Sequence, residues 1–294
     1  MNSFFSTILP AQGIYFITSI KAGSCSNHAC HSFDEMVQKV HELDTHGFDT
    51  FFACASFKQE SYIDGKDKRR QRTGDNAGWV KSFWLDIDCG PDKAEDGKGY
   101  AKIKEALAAL LEFVSVVGLQ KPTVVFSGGG LHVYWLLANT ITKEQWIPVA
   151  EQLKALTHCP AVRLIADNSR TADIASVLRP IGTHNYKPER NGAVVTQKIA
   201  GVATDFGQFS QIISEAHQTH CGGITRRSSV IQLSTVQSPD PETPENIARV
   251  KSALGALNPD CDRDQWRDIC FAVHSTGWTC AEELARSWSR GDLI

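Results

Sequence analysis

The apolar positions along this chain change period several times. Residues 13–18 and 51–56 are short runs of aromatic and branched side chains, which is how strands read. Between them Phe33, Met36, Val37, Val40 and Leu43 recur at helical spacing and predict a helix over 32–46. Residues 80–88 predict a strand that stops at Cys89-Gly90-Pro91. Ile103, Leu107, Leu110, Leu111, Val114 and Val117 then trace one face of a helix that Gly118 closes. Two strands at 123–126 and 131–137 flank the turn Ser127-Gly-Gly-Gly130, and a helix at about 143–157 follows. Two further apolar stretches, 162–166 and 174–179, are joined by a polar link. After residues 234–244, rich in Pro, Ser and Thr, the pattern is wholly helical. This order predicts an α+β fold, an α/β core with a small all-α domain behind it. The expected boundaries are 1–232 for the core, 233–244 for a linker and 245–294 for the helical domain. The chain stops at Ile294 in mid-pattern, as a fragment of a longer protein would.

Composition narrows this little. The 294 residues are 42% hydrophobic and 21% charged, with a net charge of −3, which excludes disorder, collagen and a disulfide miniprotein. Nine scattered cysteines fit a reducing cytoplasm better than a secreted disulfide framework. The amino terminus does not read as a signal peptide, and no apolar run reaches the roughly 20 residues a membrane span needs. The near-neutral total hides a division. From Asp240 onward ten acids face six Lys or Arg, while residues 58–81 hold seven Lys or Arg against four acids. That polar stretch predicts a basic loop.

The chemistry concentrates in three places. In Phe83-Trp-Leu-Asp86-Ile-Asp88, strand alternation turns Phe83, Leu85 and Ile87 to one side and Trp84, Asp86 and Asp88 to the other. Two carboxylates on one strand face repel unless a cation lies between them, and a hard divalent ion with oxygen ligands suits the place. The competing reading is a water-facing strand end. In Ser127-Gly-Gly-Gly-Leu-His132, small residues let backbone amides approach an anion, and His132, opening the next strand, could reach a phosphate of a bound nucleotide; a flexible hairpin with a structural histidine is the alternative. The stretch from Asp167 to Lys187 packs Asp167, Asp173, Arg170, Arg179 and Lys187 around a Gly-Thr turn, where cations could hold a triphosphate and an acid could complete a metal site.

A fourth cluster, Cys25, His28, Cys30 and His31, puts four zinc-ligand types within seven residues. Neighbours this close cannot all easily reach one tetrahedral ion, and a plain polar loop competes with zinc.

The first three segments, taken in order, resemble the three motifs of archaeo-eukaryotic-type primases, closest to the primase-polymerases of phages and mobile elements. Leu254-Gly-Ala-Leu-Asn, Asp264-Gln-Trp266-Arg-Asp-Ile and Trp288-Ser-Arg resemble the primase C-terminal helical domain. The resemblance implies a sheet like that of the RNA-recognition motif. It implies a DNA-template-dependent nucleotidyltransferase that makes primers and extends them, using two Mg²⁺ or Mn²⁺ ions, in a phage or its bacterial host. Its partners would be single-stranded template, primer strand, nucleoside triphosphates and a helicase fused C-terminally. The alternative is a catalytically silent module that binds single strands or an origin and positions a helicase.

By this likeness Asp86 and Asp88 are metal ligands and catalytic. Asp173, six residues before Arg179, is the third acid, with Asp167 the alternative. Ser127, Gly129, Gly130, His132, Arg179, Asn185 and Lys187 would bind the nucleotide, and Arg70, Arg72, Asn76 and Lys81 the template. Ile181 and His184 depart from the commoner pattern, which puts the shape of that loop in question.

Overall fold

The computed structural model describes residues 1–222, 241–261 and 263–292, without the side chains of Arg263 and Asp264. The chain forms two compact units, Met1–Arg226 and Arg227–Ile294. The expected break at 232 and most of the expected linker lie outside the described residues.

The first unit contains helices α1 (Asn2–Ile8), α2 (Phe33–Thr45), α3 (Pro91–Glu95), α4 (Ile103–Val117), α5 (Lys143–His158), α6 (Asn168–Thr171) and α7 (Phe206–Cys221). Its longer strands and short bridging pairs are β1 (Tyr15–Lys21), β2 (Ser24–Cys30), β3 (Asp49–Ala53), β4 (Ser56–Phe57), β5 (Tyr62–Ile63), β6 (Arg69–Arg70), β7 (Ala77–Asp88), β8 (Thr123–Phe126), β9 (Gly130–Thr142), β10 (Val177–Leu178), β11 (His184–Asn185), β12 (Ala193–Val194) and β13 (Thr196–Ile199). Two antiparallel sheets carry the unit, in the orders β10-β3-β1-β2 and β13-β8-β9-β7-β4. Ile14 and Phe57 exchange two backbone hydrogen bonds of 2.8 Å, which joins the entrance of β1 to β4 and so one sheet to the other.

The elements are largely the expected ones. Helix α4 ends where Gly118 takes a left-handed φ of 78°, and α5 begins at a Thr142–Gln145 capping box. Three differences have physical reasons. Residues 24–30 form strand β2 and not a loop, because Ala22 and Gly23 both take positive φ (49° and 79°); this makes the two-residue turn that folds a strand back on β1. As an edge strand with a largely polar, exposed sequence, β2 lacks apolar alternation. Helix α7 was not among the predicted elements; it buries Phe209, Ile213 and Ala216 alone, a stripe too thin to read. Residues 162–166 have no regular structure and bury Val162, Leu164 and Ala166 in the core without pairing as a strand.

The core sits on both faces of the β7–β9 pair. On one face Phe83 stacks on Phe209 at 4.6 Å, and Trp135 lies 6.4 Å from Phe113 of α4. On the other, Trp84 stacks on Trp146 at 4.6 Å, and Tyr134 meets Phe4 of α1 and Phe52 of β3 at 6.1 and 6.5 Å. The face that carries Asp86 therefore looks toward the other sheet.

The second unit is all-α among its described residues, as expected. Helices α8 (Pro244–Gly255), α9 (Arg263–His274) and α10 (Ala281–Ser289) enclose Leu254, Val273, Ala281, Leu284 and Trp288. Thr243 caps α8 through the Asn246 amide at 3.2 Å, and the Trp288 indole donates to the Leu257 carbonyl at 3.1 Å. No helix among the described residues is long and apolar enough to cross a membrane.

In the β7–β9 pair Gly130 leaves no room for a side chain, since an added Cβ would lie 2.1 Å from the Ile87 carbonyl oxygen. Gly130→Ala is expected to cost about 1–3 kcal/mol or more, as overpacking does. Gly65→Ala, whose Cβ would meet nothing within 4 Å, is expected to be near neutral. Urea-unfolding midpoints of the two variants against the parent check this.

Candidate active site

Strand β7 presents its two acids as alternation requires, and its partner fixes what they face: Asp86 stands opposite His132 and Asp88 opposite Gly130. The strand is held just before them, because the Trp84 indole donates to the Arg170 carbonyl at 2.9 Å.

Asp86 is the electrostatic centre. Burial first, then the charges of Asp88 and Asp167, push its pKa up to about 7, against the pull of Arg170 and Lys187. Asp88 is partly relieved by Lys93 of α3, whose Nζ lies 2.7 Å from Oδ2. Asp167 is tied to the site through the backbone, its N–H donating to the Asp86 carbonyl at 2.7 Å. Its carboxylate caps α6, accepting from the Ser169 amide and hydroxyl at 2.9 and 2.7 Å, and stands 3.6 Å from Arg170 Nε. Asp173 is engaged elsewhere. Its oxygens accept from the Ala175 amide at 3.0 Å and the Ser176 hydroxyl at 3.3 Å, and its charge acts on Arg72 and Cys54.

Among the described residues no three His, Cys, Asp or Glu side chains are gathered closely enough to hold a metal ion. The donors at β7 nevertheless suit a hard divalent cation: they are carboxylate oxygens, and one is held near 7 by burial and then by the negative charge of Asp88 and Asp167. The Cys25 group does not suit zinc. Alternation along β2 sends His28 and Cys30 to one face and Cys25 to the other; His28 Nε2 is 3.0 Å from the Ser19 hydroxyl, and His31 is paired with Glu60 at 2.9 Å.

The expected nucleotide residues divide into two kinds. His132, Arg179 and Lys187 gather around Asp86. His132 Nε2 is 3.8 Å from Asp86 Oδ1, its buried Nδ1 meets no aligned hydrogen-bond partner among the described residues, and burial with the nearby Arg179 charge pushes its pKa down to about 3 against the pull of the Arg179 backbone. The ring is therefore neutral at physiological pH and acts as a hydrogen-bonding group. Arg179 is buried over the Phe51 ring at 4.4 Å, its Nη2 2.7 Å from Asp49 Oδ1 without hydrogen-bond alignment. The others serve the scaffold. Asn185 donates to the Ser127 carbonyl at 3.0 Å, Gly128 takes φ +78°, and Gly129 lies under Arg190. Arg190 in turn donates to the Cys89 carbonyl at 2.9 Å.

The expected template residues are mostly occupied. The buried Asn76 spends its amide on the Gln59 and Gln71 carbonyls at 2.6 and 2.7 Å, so it clamps the loop. Arg72 donates to the Ala175 carbonyl and to Asn27, and Lys81 to the Ser6 carbonyl at 3.1 Å. Arg70 is exposed and paired with Asp64 at 2.7 Å. Sequence reasoning missed Lys93, Asp49 and Arg190. Lys93 had a faint signal, a cation five residues past Asp88 on a helix opened by Pro91; for the other two, partners distant in sequence left none.

Residues 250–293 match the family described as primase C terminal 2 (PriCT-2), in line with the resemblance read from the helical segment. No curated protein matches the chain. Among solved structures, the archaeo-eukaryotic primase domain of the cyanophage S-2L primase-polymerase is similar at 16% identity and a TM-score of 0.48, over 68% of this chain and 89% of that one. The catalytic domain of primase RepB′ in complex with initiator DNA is similar at 17% identity and a TM-score of 0.40, over 73% of this chain and 90% of that one. A further structure of primase RepB′ reaches 14% identity and a TM-score of 0.42, over 96% and 91%.

The raised pKa of Asp86 makes stability depend on pH. The folded chain holds this proton more tightly than the unfolded chain, whose aspartates titrate near 3.9. Stability conferred by the protonated form is therefore complete below about 4 and is lost as pH rises through about 7. In the absence of divalent ions, Asp86→Asn is expected to remove a slope of at most about 1.4 kcal/mol per pH unit across that window. Urea midpoints of parent and variant at pH 5, 6, 7 and 8 measure it.

Proposed function

We propose that the first unit is a DNA-template-dependent nucleotidyltransferase, a primase-polymerase that makes primers and extends them. The observation that carries the reading is Asp86, a carboxylate held near pKa 7 on a strand face with Asp88, with His132 3.8 Å away and the Arg179 and Lys187 charges close by. A pure binding module gains nothing from buried acids facing a polyanion. The PriCT-2 match at residues 250–293 supports a place in replication, with a helicase as partner.

In this reading Asp86 and Asp88, with Asp167 brought in by its backbone bond to Asp86, would hold Mg²⁺ or Mn²⁺, and Asp173 would brace the turn before Arg179. The ions supply charge neutralisation and activation of the attacking hydroxyl. The protein's own part is to position and to recognise charge. The neutral His132 offers a hydrogen-bonding ring to a phosphate oxygen beside Asp86. Arg179 and Lys187 offset the triphosphate, and the Asp49 pair keeps the Arg179 guanidinium in place. Lys93 has to leave Asp88 when a cation arrives.

The test is incorporation of labelled nucleotide on single-stranded DNA with Mg²⁺ or Mn²⁺. Asp86→Ala/Asp88→Ala is expected to abolish incorporation while keeping DNA binding. Asp167→Asn is expected to lose at least about 100-fold, the size of a lost charge-stabilising group, and Asp173→Asn less than about tenfold. If parent and double variant bind DNA equally and neither incorporates nucleotide, the enzyme reading fails and a silent binding module takes its place. If Asp173→Asn is the more damaging of the two, the third acid is Asp173.

A further inference from the structure

Residues 184–187 are held from behind by one corner of the fold. Along His184-Asn185-Tyr186-Lys187 successive side chains serve opposite sides. Asn185 donates to the Ser127 carbonyl at 3.0 Å, and the Lys187 charge acts on Asp86. His184 and Tyr186, their ring centroids 5.7 Å apart, are bonded instead to the corner between α2 and β3.

Asp44, in the last turn of α2, makes most of those bonds. Its carboxylate accepts from the His184 amide and from the ring Nδ1, both at 2.8 Å, and its carbonyl accepts from the Tyr186 hydroxyl at 2.7 Å. Asp49 accepts the Tyr186 amide at 3.0 Å with the same oxygen that faces Arg179. The Asp44 charge also acts on Arg179. This acid stands where its own helix disfavours it, since the C-terminal end of a helix dipole is negative and the last turn of α2 has no basic residue. Its side chain is also 13% exposed, so it has lost most of its water. What offsets both costs is a segment 140 positions later, reached through His184, one of the two departures from the commoner primase pattern.

Resting on the nucleotidyltransferase reading above, we propose that Asp44 is a positioning residue: acting through His184 and Tyr186, it fixes residues 184–187 so that Lys187 meets the triphosphate of the incoming nucleotide. The triphosphate is charged both before and during the reaction. A displaced Lys187 therefore weakens the binding of substrate and transition state alike, and the loss falls on KM and not on kcat. A general loss of stability acts differently, because it lowers the fraction of active enzyme and so the apparent kcat at constant KM.

The experiment measures kcat and the KM for the nucleoside triphosphate in primer extension on a saturating primer–template. It compares the parent with Asp44→Ala, His184→Ala and the double variant. Each single variant is expected to raise KM, Asp44→Ala by at least about fivefold, with kcat within about twofold of the parent. The double variant is expected to match Asp44→Ala, because the two residues act through one contact. Asp44→Asn keeps an oxygen for the His184 amide and is expected to recover part of the lost KM. Should the urea midpoint of Asp44→Ala show that it does not fold, His184→Ala decides alone, its side chain being 41% exposed. An unchanged KM in a folded variant, a fall in kcat at constant KM, or KM increases that multiply in the double variant overturn the proposal. A parent that incorporates no nucleotide overturns the nucleotidyltransferase reading itself, so the two failures are told apart.

Discussion

The antiparallel register of β7 with β9 is the constraint on which the site depends. It places Asp86 across from His132 and Asp88 across from Gly130, and a shift by one residue would send both acids to the Phe83 face, against α7. Large side chains on both faces of the pair resist such a shift. Phe83 and Trp135 are locked on one side, Trp84 and Tyr134 on the other, and all four are nearly or fully buried. The hydrogen bonds of the two indoles of the Trp84–Trp146 stack, from Trp84 to Arg170 and from Trp146 to Ser82, add direction to what is otherwise apolar packing. Gly130 then lets the strands close at the end where the acids emerge.

This packing explains why Asp86 can be held at an unfavourable pKa. A carboxylate at a frayed strand end would turn to water and stay near its ordinary value. Asp86 cannot, because the strand continues to Asp88 and the neighbouring segment is bonded to its carbonyl through Asp167. The energy that fixes the acid comes from the core two residues away, and its cost appears as a raised pKa at the site. Functional sites commonly show this transfer of strain from a rigid scaffold to a few polar groups.

How legible this was in the sequence varies with the range of the interaction. The helices α2, α4 and α5 and the strands β7, β8 and β9 could be read because their signals are local: a buried stripe, a capping box, a closing glycine, alternation between two faces. The alternation in Phe83–Asp88 was enough to put Asp86 and Asp88 together. That Asp167 is bonded to Asp86 could not be read from spacing, since the bond is from its backbone to a residue about 80 positions earlier. Asn76, a surface-loop residue by composition, spends its amide on carbonyls of its own loop, Gln59 and Gln71, a fold of the loop that residue types alone do not signal. β2 failed for a different reason: an edge strand needs no apolar alternation, so its cysteines and histidines read as a cluster when the pleat in fact separates them.

The charge of the whole chain was the least informative quantity, and the structure shows why. A site that works on a polyanion needs negative charge to attract cations and positive charge to attract phosphates, and the two cancel in any sum. Here they are interleaved at side-chain distances: Lys93 on Asp88, Arg170 beside Asp167, Arg179 and Lys187 in the field of Asp86. The cations do not neutralise the acids fully, since the charges of Asp88 and Asp167 still add to burial in raising the pKa of Asp86. Nor do the acids consume the cations fully, since Lys187, though it acts on Asp86, forms no ion pair among the described residues. In the proposed reading, incomplete compensation on both sides would leave the cleft able to take up a divalent ion and an anionic ligand together, each making the other's binding less costly. A surface whose charges were fully paired would have the same net charge of −3 and no such capacity.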